Sequence, residues 1–208
     1  MLTLLIARHG NTFDKGDIPT RVGARTDLPL VEKGREQARH IANYLKENDI
    51  LPDIIFTSDL RRTKEMAEII VDELRDDEIE VRAHPMFNEI DYGPDENKTE
   101  DEVIARIGAD AIAQWDKDAI VPDGWIVDPQ TIIQNWRDFS EEIVKNYSGK
   151  IVMVITSNGV ARFVPYLTGE FEAFSQNNAI KISTGGLCIL EKHANDATWT
   201  VKQWNIRP

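Results

Sequence analysis

Hydrophobic positions in this chain fall into short unbroken runs that alternate with longer stretches of helical period. Leu2-Thr3-Leu4-Leu5-Ile6-Ala7 is apolar but for one threonine, and so short a run reads as a strand buried on both faces. Asp53-Ile54-Ile55-Phe56-Thr57 and Ile151 to Ile155 repeat the pattern, and Glu80-Val81-Arg82-Ala83 reads as a weaker strand. About Glu32 to Asn48 carries Ala38, Ile41, Ala42 and Leu45 on one helical stripe, and about Leu60 to Leu74 carries Met66, Ala67, Ile70 and Leu74 on another. Strand, helix, strand, helix implies an α/β fold with right-handed crossovers between parallel strands.

The middle section is helical again from about Glu100 to Asp118. It breaks at the turn Pro122-Asp123-Gly124 and resumes after Pro129 as a helix, about Gln130 to Tyr147, with Ile132, Ile133, Trp136, Phe139 and Ile143 on a wide apolar face. Residues 94–148 therefore read as a helical cap inserted into one domain spanning 1–208. Trp115, Trp125 and Trp136 either pack that cap on the body or form an aromatic wall beside a ligand. A short helix is expected at about Val160 to Leu167. Ala179 to Leu190 and Thr198 to Trp204 read as an antiparallel hairpin around Asn195-Asp196. The expected architecture is a three-layer α/β sandwich, a mostly parallel central sheet with an antiparallel edge and helices on both faces. The loop Asn11 to Leu30, punctuated by Gly16, Pro19, Gly23 and Pro29, is long for a connector, and such loops are often functional.

Composition narrows the function. The 208 residues are 41% hydrophobic and 29% charged, ordinary for one globular domain, and no apolar stretch approaches the length that crosses a bilayer. No basic region precedes the first apolar run, so no secretory signal is expected. The single Cys188 leaves no intramolecular disulfide to form, which fits a cytoplasmic location. A net charge of −12 argues against a nucleic-acid surface. Much of the acidity sits in Asp72 to Glu80 and Asp95 to Glu102, read as solvated helix ends and loops. Against it, Arg8, Arg21, Arg25, Arg61, Arg62 and Arg162 cluster near the turns after strands. A local positive hollow in an acidic protein suits a small anionic ligand. Edge strands and exposed tryptophans admit a homodimer without requiring one.

Three strand ends then matter together. Arg8-His9-Gly10, Ser58 to Arg62 and Ser157-Asn158-Gly159 each follow a buried parallel strand and should meet on one rim of the sheet, where open α/β sheets place ligands. Ser58 and Asp59 are expected to cap the helix that carries Arg61 and Arg62. Arg8 and one of these arginines can fork a phosphoryl group, a geometry lysine does not supply.

These residues make the chain resemble the histidine phosphatase superfamily, the phosphoglycerate mutase-like proteins. The resemblance rests on Arg8-His9-Gly10-Asn11-Thr12, on Thr26-Asp27-Leu28-Pro29-Leu30 to Gly34 with Gln37-Ala38, on Ser58-Asp59-Leu60-Arg61-Arg62-Thr63, and on Asn88-Glu89-Ile90-Asp91-Tyr92-Gly93. It implies that His9 is a nucleophile forming phosphohistidine and that Glu89 is the proton donor. Arg8, Arg62, Asn11, Thr12 and Asn158 would bind the phosphoryl group. No cofactor is expected and no histidine-carboxylate spacing calls for a metal. His40, His84 and His193 read as structural or solvent-facing.

Two positions depart from the family pattern. Ser157-Asn158-Gly159 stands where the resemblance implies a Ser-His-Gly turn, and a neutral donor in place of a charged one costs on the order of ten- to thirtyfold in rate. Lys15 stands near where many relatives carry a phosphate-binding asparagine. Arg21 and Arg162 read either as compensating cations that touch substrate or as ordinary surface arginines. The expected function is a metal-independent phosphomonoesterase acting on a small phosphorylated metabolite. Two alternatives stay open: a degenerate member that binds a phosphorylated ligand or protein with little turnover, and a bisphosphoglycerate-dependent mutase. The short chain and the absence of a basic residue after Glu89 oppose the mutase. Substrate choice is expected to lie within Asp91 to Trp136, where the motifs are thinnest.

Overall fold

Alternation along the buried strands decides which side chains face which layer. The computed structural model describes residues 1–76 and 78–208. Strands β1 (Leu2–Arg8), β2 (Ile54–Thr57), β3 (Glu80–Ala83), β4 (Ile151–Thr156), β5 (Leu187–Lys192) and β6 (Thr200–Ile206) form a six-stranded sheet in the order β3-β2-β4-β1-β5-β6. The first four run parallel, β5 pairs antiparallel with β1, and β6 pairs antiparallel with β5. Leu4 and Ile6 of β1 join one core with Val152 and Val154 of β4, while Leu5 and Ala7 join the opposite core with Met153 and Ile155.

Helices α1 (Glu32–Glu47) and α2 (Arg61–Leu74) close that second core with the predicted stripes, Ala38, Ile41, Ala42 and Leu45 from one and Met66, Ala67 and Ile70 from the other. The middle section contributes α3 (Glu100–Ile107), α4 (Ala109–Asp118) and α5 (Pro129–Asn146). Ile133, Trp136, Phe139 and Ile143 of α5 pack directly onto the first face of the sheet, where Phe139 meets Phe56 edge-on at 5.1 Å. The result is the three-layer α/β sandwich with an antiparallel edge that the hydrophobic pattern predicts.

Several local expectations differ from the structure. Glu100 to Asp118 is two helices, because Gly108 adopts φ +84 and turns the chain between them. A capping box of Thr99 and Glu102 starts the first. The helix expected from Val160 begins earlier, as α6 (Asn158–Ala161), and continues as a 3-10 turn over Val164–Thr168 that contains Pro165. Helix α7 (Phe171–Asn177) was not foreseen. The strand expected from Ala179 starts only at Leu187, since Gly185 takes φ +68 and gives its N–H to the Arg8 and His9 carbonyls instead of a ladder.

The acidic stretch 95–102 is not wholly solvated either. Asp95 is 1% exposed and accepts from Arg106 and from the Trp125 indole. In the stretch 72–80, residue 77 lies outside the described residues. Trp115, Trp125, Trp136 and Trp199 are buried, and Trp204 is half-buried. Among the described residues no helix is long and apolar enough to cross a membrane.

Candidate active site

The parallel register of β1 and β4 pairs Arg8 with Thr156, so the turns that follow leave the sheet side by side, and the His9 N–H donates to the Thr156 carbonyl at 3.0 Å. β2 flanks β4 with Thr57 opposite Ile155, which brings the Ser58 turn to the same rim. Gly10 is required because a Cβ there would overlap the carbonyl of Gly34, where α1 starts against the turn.

His9 is buried and its ring is held at both nitrogens. Nδ1 lies 2.8 Å from the Gly10 carbonyl, which only accepts, and Nε2 lies 3.2 Å from Arg62 Nε, which only donates. These partners select the neutral Nδ1–H tautomer and leave a lone pair on Nε2. Burial, and then the charges of Arg62 and Arg8, hold the imidazole pKa well below its ordinary value.

Arg62 is fully buried behind His9 and does not line the cavity wall. Its Nη1 donates to the Thr26 carbonyl at 2.9 Å, and Nη2 points at the carbonyls of Gly23 and Val22 at 3.4 and 3.5 Å. The expected Ser58–Asp59 cap of α2 is not formed. Ser58 Oγ instead pairs with Thr63 Oγ1 at 2.6 Å and Asp59 bonds Asn88, while Asp27 from the long loop accepts the Arg61 N–H at 2.7 Å. Capping α2 from a distant segment ties the loop to the helix that carries Arg62.

Arg8 donates from Nη1 to the Ile182 carbonyl at 2.6 Å, and its buried Nε has no partner among the described residues. Glu89 is 7% exposed and accepts the Ile90 N–H at 3.0 Å. Burial raises its pKa, against the opposing pull of Arg62, Arg8 and Arg162. Gly159 makes room for this carboxyl, because a Cβ there would overlap Glu89 Oε1.

The opposite wall is built from later segments. Asn158 is buried with Oδ1 accepting the Ile182 N–H at 2.8 Å, so its NH2 is the part left to face the cavity. Arg162 is 1% exposed, one helical turn on, and it is no surface arginine. Its Nε donates to the Asn158 carbonyl at 3.3 Å, its Nη1 to the Trp115 carbonyl at 2.5 Å, and its guanidinium carbon sits 3.9 Å from the Trp115 ring centroid. Burial brings its pKa down to about 10, which leaves it charged at neutral pH. Arg21 pairs with Glu100 at 2.7 Å and lies 5.2 Å from the Trp125 ring.

These groups border a cavity of about 750 Å³. Arg8, His9, Asn11, Thr12, Glu89 and Asn158 line it, and Arg21 and Arg162 extend it outward. Asn11 is set by its N–H to Gln37 at 2.9 Å and by the Thr184 hydroxyl donating to its Oδ1 at 2.7 Å. Lys15 is an exposed residue of the rim. The wall also holds Tyr92, Asp116, Lys181 and Thr184, none of which the sequence reading singled out. The Gly185-Gly186 pair inside an expected strand was the one signal that could have flagged the 182–186 segment. His40 and His193 are exposed and away from the cavity, and His84 caps a turn through the Met86 N–H. Among the described residues no three His, Cys, Asp or Glu side chains are grouped to hold a metal ion.

Comparisons with known proteins bear on the family and the fold. The family model described as histidine phosphatase superfamily (branch 1) matches residues 4–207. A 2,3-bisphosphoglycerate-dependent phosphoglycerate mutase of Bifidobacterium longum is 28% identical over 202 residues, 96% of this chain and 75% of that protein. Among solved structures, a mycobacterial glucosyl-3-phosphoglycerate phosphatase superposes with a TM-score of 0.80 at 21% identity, covering 99% of each chain. The alpha-ribazole phosphatase of Shigella flexneri gives 0.70 at 19% identity, covering 99% of this chain and 96% of that one.

Proposed function

Because the chain belongs to the histidine phosphatase superfamily, branch 1, we propose that it is a phosphomonoesterase that hydrolyses a small phosphorylated metabolite through phosphohistidine at His9. The observation that carries this reading is the buried, neutral imidazole whose Nδ1–H is held by the Gly10 carbonyl and whose Nε2 lone pair is aligned by the Arg62 guanidinium.

In the first step Nε2 attacks phosphorus and the bond from phosphorus to the ester oxygen breaks. Glu89 gives its proton to the departing alcohol, a role that its burial-raised pKa suits. In the second step Glu89 takes a proton from water, the water oxygen bonds phosphorus, and the P–N bond breaks to return His9 and free phosphate. Arg8, Asn11, Thr12 and the Asn158 amide supply donors to the phosphoryl oxygens. Arg62 acts later than these. Once the Nε2 lone pair is spent on phosphorus, Arg62 Nε–H loses its acceptor and turns to a phosphoryl oxygen, so this bond forms as the transition state forms. No step draws on a metal or cofactor. Residues 1–208 act as one domain in this reading, with α3 and α4 as the cap, and Arg21, Arg162 and the Trp115 edge choose the alcohol portion of the substrate.

Asn158 carries a second reading, a degenerate member that binds a phosphorylated ligand with little turnover, because its amide brings no positive charge. One assay separates the two: an aryl phosphate and a panel of sugar, glycerate and nucleoside phosphates, with wild type, His9→Ala and Asn158→His. Hydrolysis by wild type that His9→Ala abolishes is the expected result. Silence in wild type with activity in Asn158→His would establish degeneracy, and release that survives His9→Ala would refute the nucleophile. Phosphoryl exchange on phosphoglycerate that depends on a bisphosphate primer would make the protein a mutase.

A further inference from the structure

Arg62 has no carboxylate within salt-bridge distance among the described residues, yet its guanidinium is held rigidly enough to aim Nε at the nucleophile. Its other acceptors are carbonyls of the loop 22–26. Asp91 holds that loop only through the Arg25 side chain, at 3.2 Å, whereas Glu96 gathers three of its donors. Glu96 Oε1 accepts the Gly23 N–H at 3.1 Å, the Arg25 N–H at 3.0 Å and the Thr26 hydroxyl at 2.8 Å. Its Oε2 accepts the Tyr92 N–H at 3.3 Å. Oε2 also fills the space that a Cβ on residue 23 would need, so Gly23 and Glu96 fit as a pair.

We propose that Glu96 is a positioning residue for His9: it orders the loop 22–26, whose carbonyls aim Arg62 Nε at His9 Nε2. The kinetic part of this inference rests on the phosphatase reading, whereas the structural part does not. Glu96 touches neither substrate nor nucleophile, and its negative charge also favours the charged form of Arg62. The charged and titratable groups that face Arg62 and His9 are Arg8 on β1, Asp27 on the long loop, and Glu89, Tyr92 and Glu96 on the segment after β3. Of these, Glu96 is the one that bonds the carbonyl-bearing loop.

In Glu96→Gln the amide nitrogen faces either the Tyr92 N–H or the three donors of the loop, so at least one bond becomes donor against donor. The loop loosens, Arg62 draws back from Nε2, and one of the two cations that depress the His9 pKa weakens. The His9 pKa therefore rises.

The test is the imidazole titration of His9, followed by nitrogen-15 NMR on the full chain, in wild type, Glu96→Gln, Thr26→Val, Arg62→Ala and the Arg62→Ala/Glu96→Gln double variant. Glu96→Gln is expected to raise the His9 pKa and to lower kcat roughly ten- to hundredfold with KM changed less than about threefold. Thr26→Val, which removes a single donor to Glu96, moves both readouts in the same direction by less and stands in should Glu96→Gln not fold. The double variant is expected to titrate as Arg62→Ala does. A His9 titration unchanged in a folded Glu96 or Thr26 variant overturns the inference. So does an extra rise in the double variant equal to that of Glu96→Gln alone. Should wild type hydrolyse nothing while the titration still moves, the phosphatase reading fails and the positioning role stands.

Discussion

His9 on the floor of the cavity with Arg62 behind it, and Arg162 with Trp115 on the far wall, are all buried but are held by opposite means. On the floor the partners of Arg8, His9 and Arg62 are main-chain carbonyls and each other, and among the described residues neither arginine forms a salt bridge. On the wall the cations are matched by carboxylates, Arg162 with Asp116 at 3.6 Å and Arg21 with Glu100 at 2.7 Å, and both lie over aromatic rings. An unmatched cation pair beside a neutral base is favourable only when a dianion arrives, because carbonyls offset less charge than a carboxylate would. A matched and stacked cation is already satisfied and contributes shape and hydrogen-bond direction. The floor is therefore suited to reaction and the wall to recognition.

The largest test of that contrast is at Glu89. Replacing it by glutamine is expected to lower kcat roughly 10²- to 10⁴-fold on alkyl phosphates, and far less on an aryl phosphate whose leaving group needs no proton. Equal losses on both substrates would show that Glu89 is not the acid. Arg62→Ala is expected to lower kcat about 10²- to 10³-fold with little change in KM, since its bond to phosphoryl oxygen forms only as attack proceeds. A KM effect alone would place Arg62 with the recognition groups.

Asn158→His should raise the rate about ten- to thirtyfold by restoring a charged donor. A gain far above that range would mean that the wild-type floor is incomplete. Arg162→Met tests the wall: KM is expected to rise about tenfold while kcat stays within about threefold, measured on whichever phosphate the panel finds best. An effect confined to kcat would move Arg162 onto the floor.

The smallest effect is on stability. Glu89 has a raised folded-state pKa, so the stability that comes from keeping it protonated is complete below the unfolded-state value of about 4.5 and is lost as pH rises through the folded value. Glu89→Gln cannot ionise, and it should melt a few degrees above wild type in mildly alkaline buffer, with the gap closing in acid. A constant gap at every pH would trace the gain to packing instead.

Much of the floor was legible because its residues sit where a periodic pattern ends. Arg8 and His9 interrupt an apolar run, and the short runs at β2 and β4 point their following turns at the same rim. Arg62 and Glu89 were placed by the motif around them, since one more arginine on a helix and one more acid in an acidic chain carry no signal of their own. The wall was less legible for a physical reason. Whether Arg162 meets solvent or Trp115 depends on where α4 lies over α6, and the break at Gly108 that redirects α4 is a single glycine within an otherwise helical period. The 182–186 segment was read as strand with the rest of Ala179 to Leu190, yet its polar main-chain groups meet the Arg8 guanidinium, the Asn158 amide and the end of β1 at Arg8 and His9.

Local order in the chain therefore determined the elements, their order and the placement of His9 at the end of a buried run, because helical and strand periods and the residue that ends a run act over a few positions. Tertiary structure alone decided which nitrogen of His9 keeps its lone pair, which arginines surround it and which carboxylate gathers the loop behind it. Those outcomes depend on contacts between residues far apart in sequence, Arg62 with Thr26, Arg8 with Ile182 and Glu96 with Gly23, and hydrogen bonding and burial act through space and not along the chain.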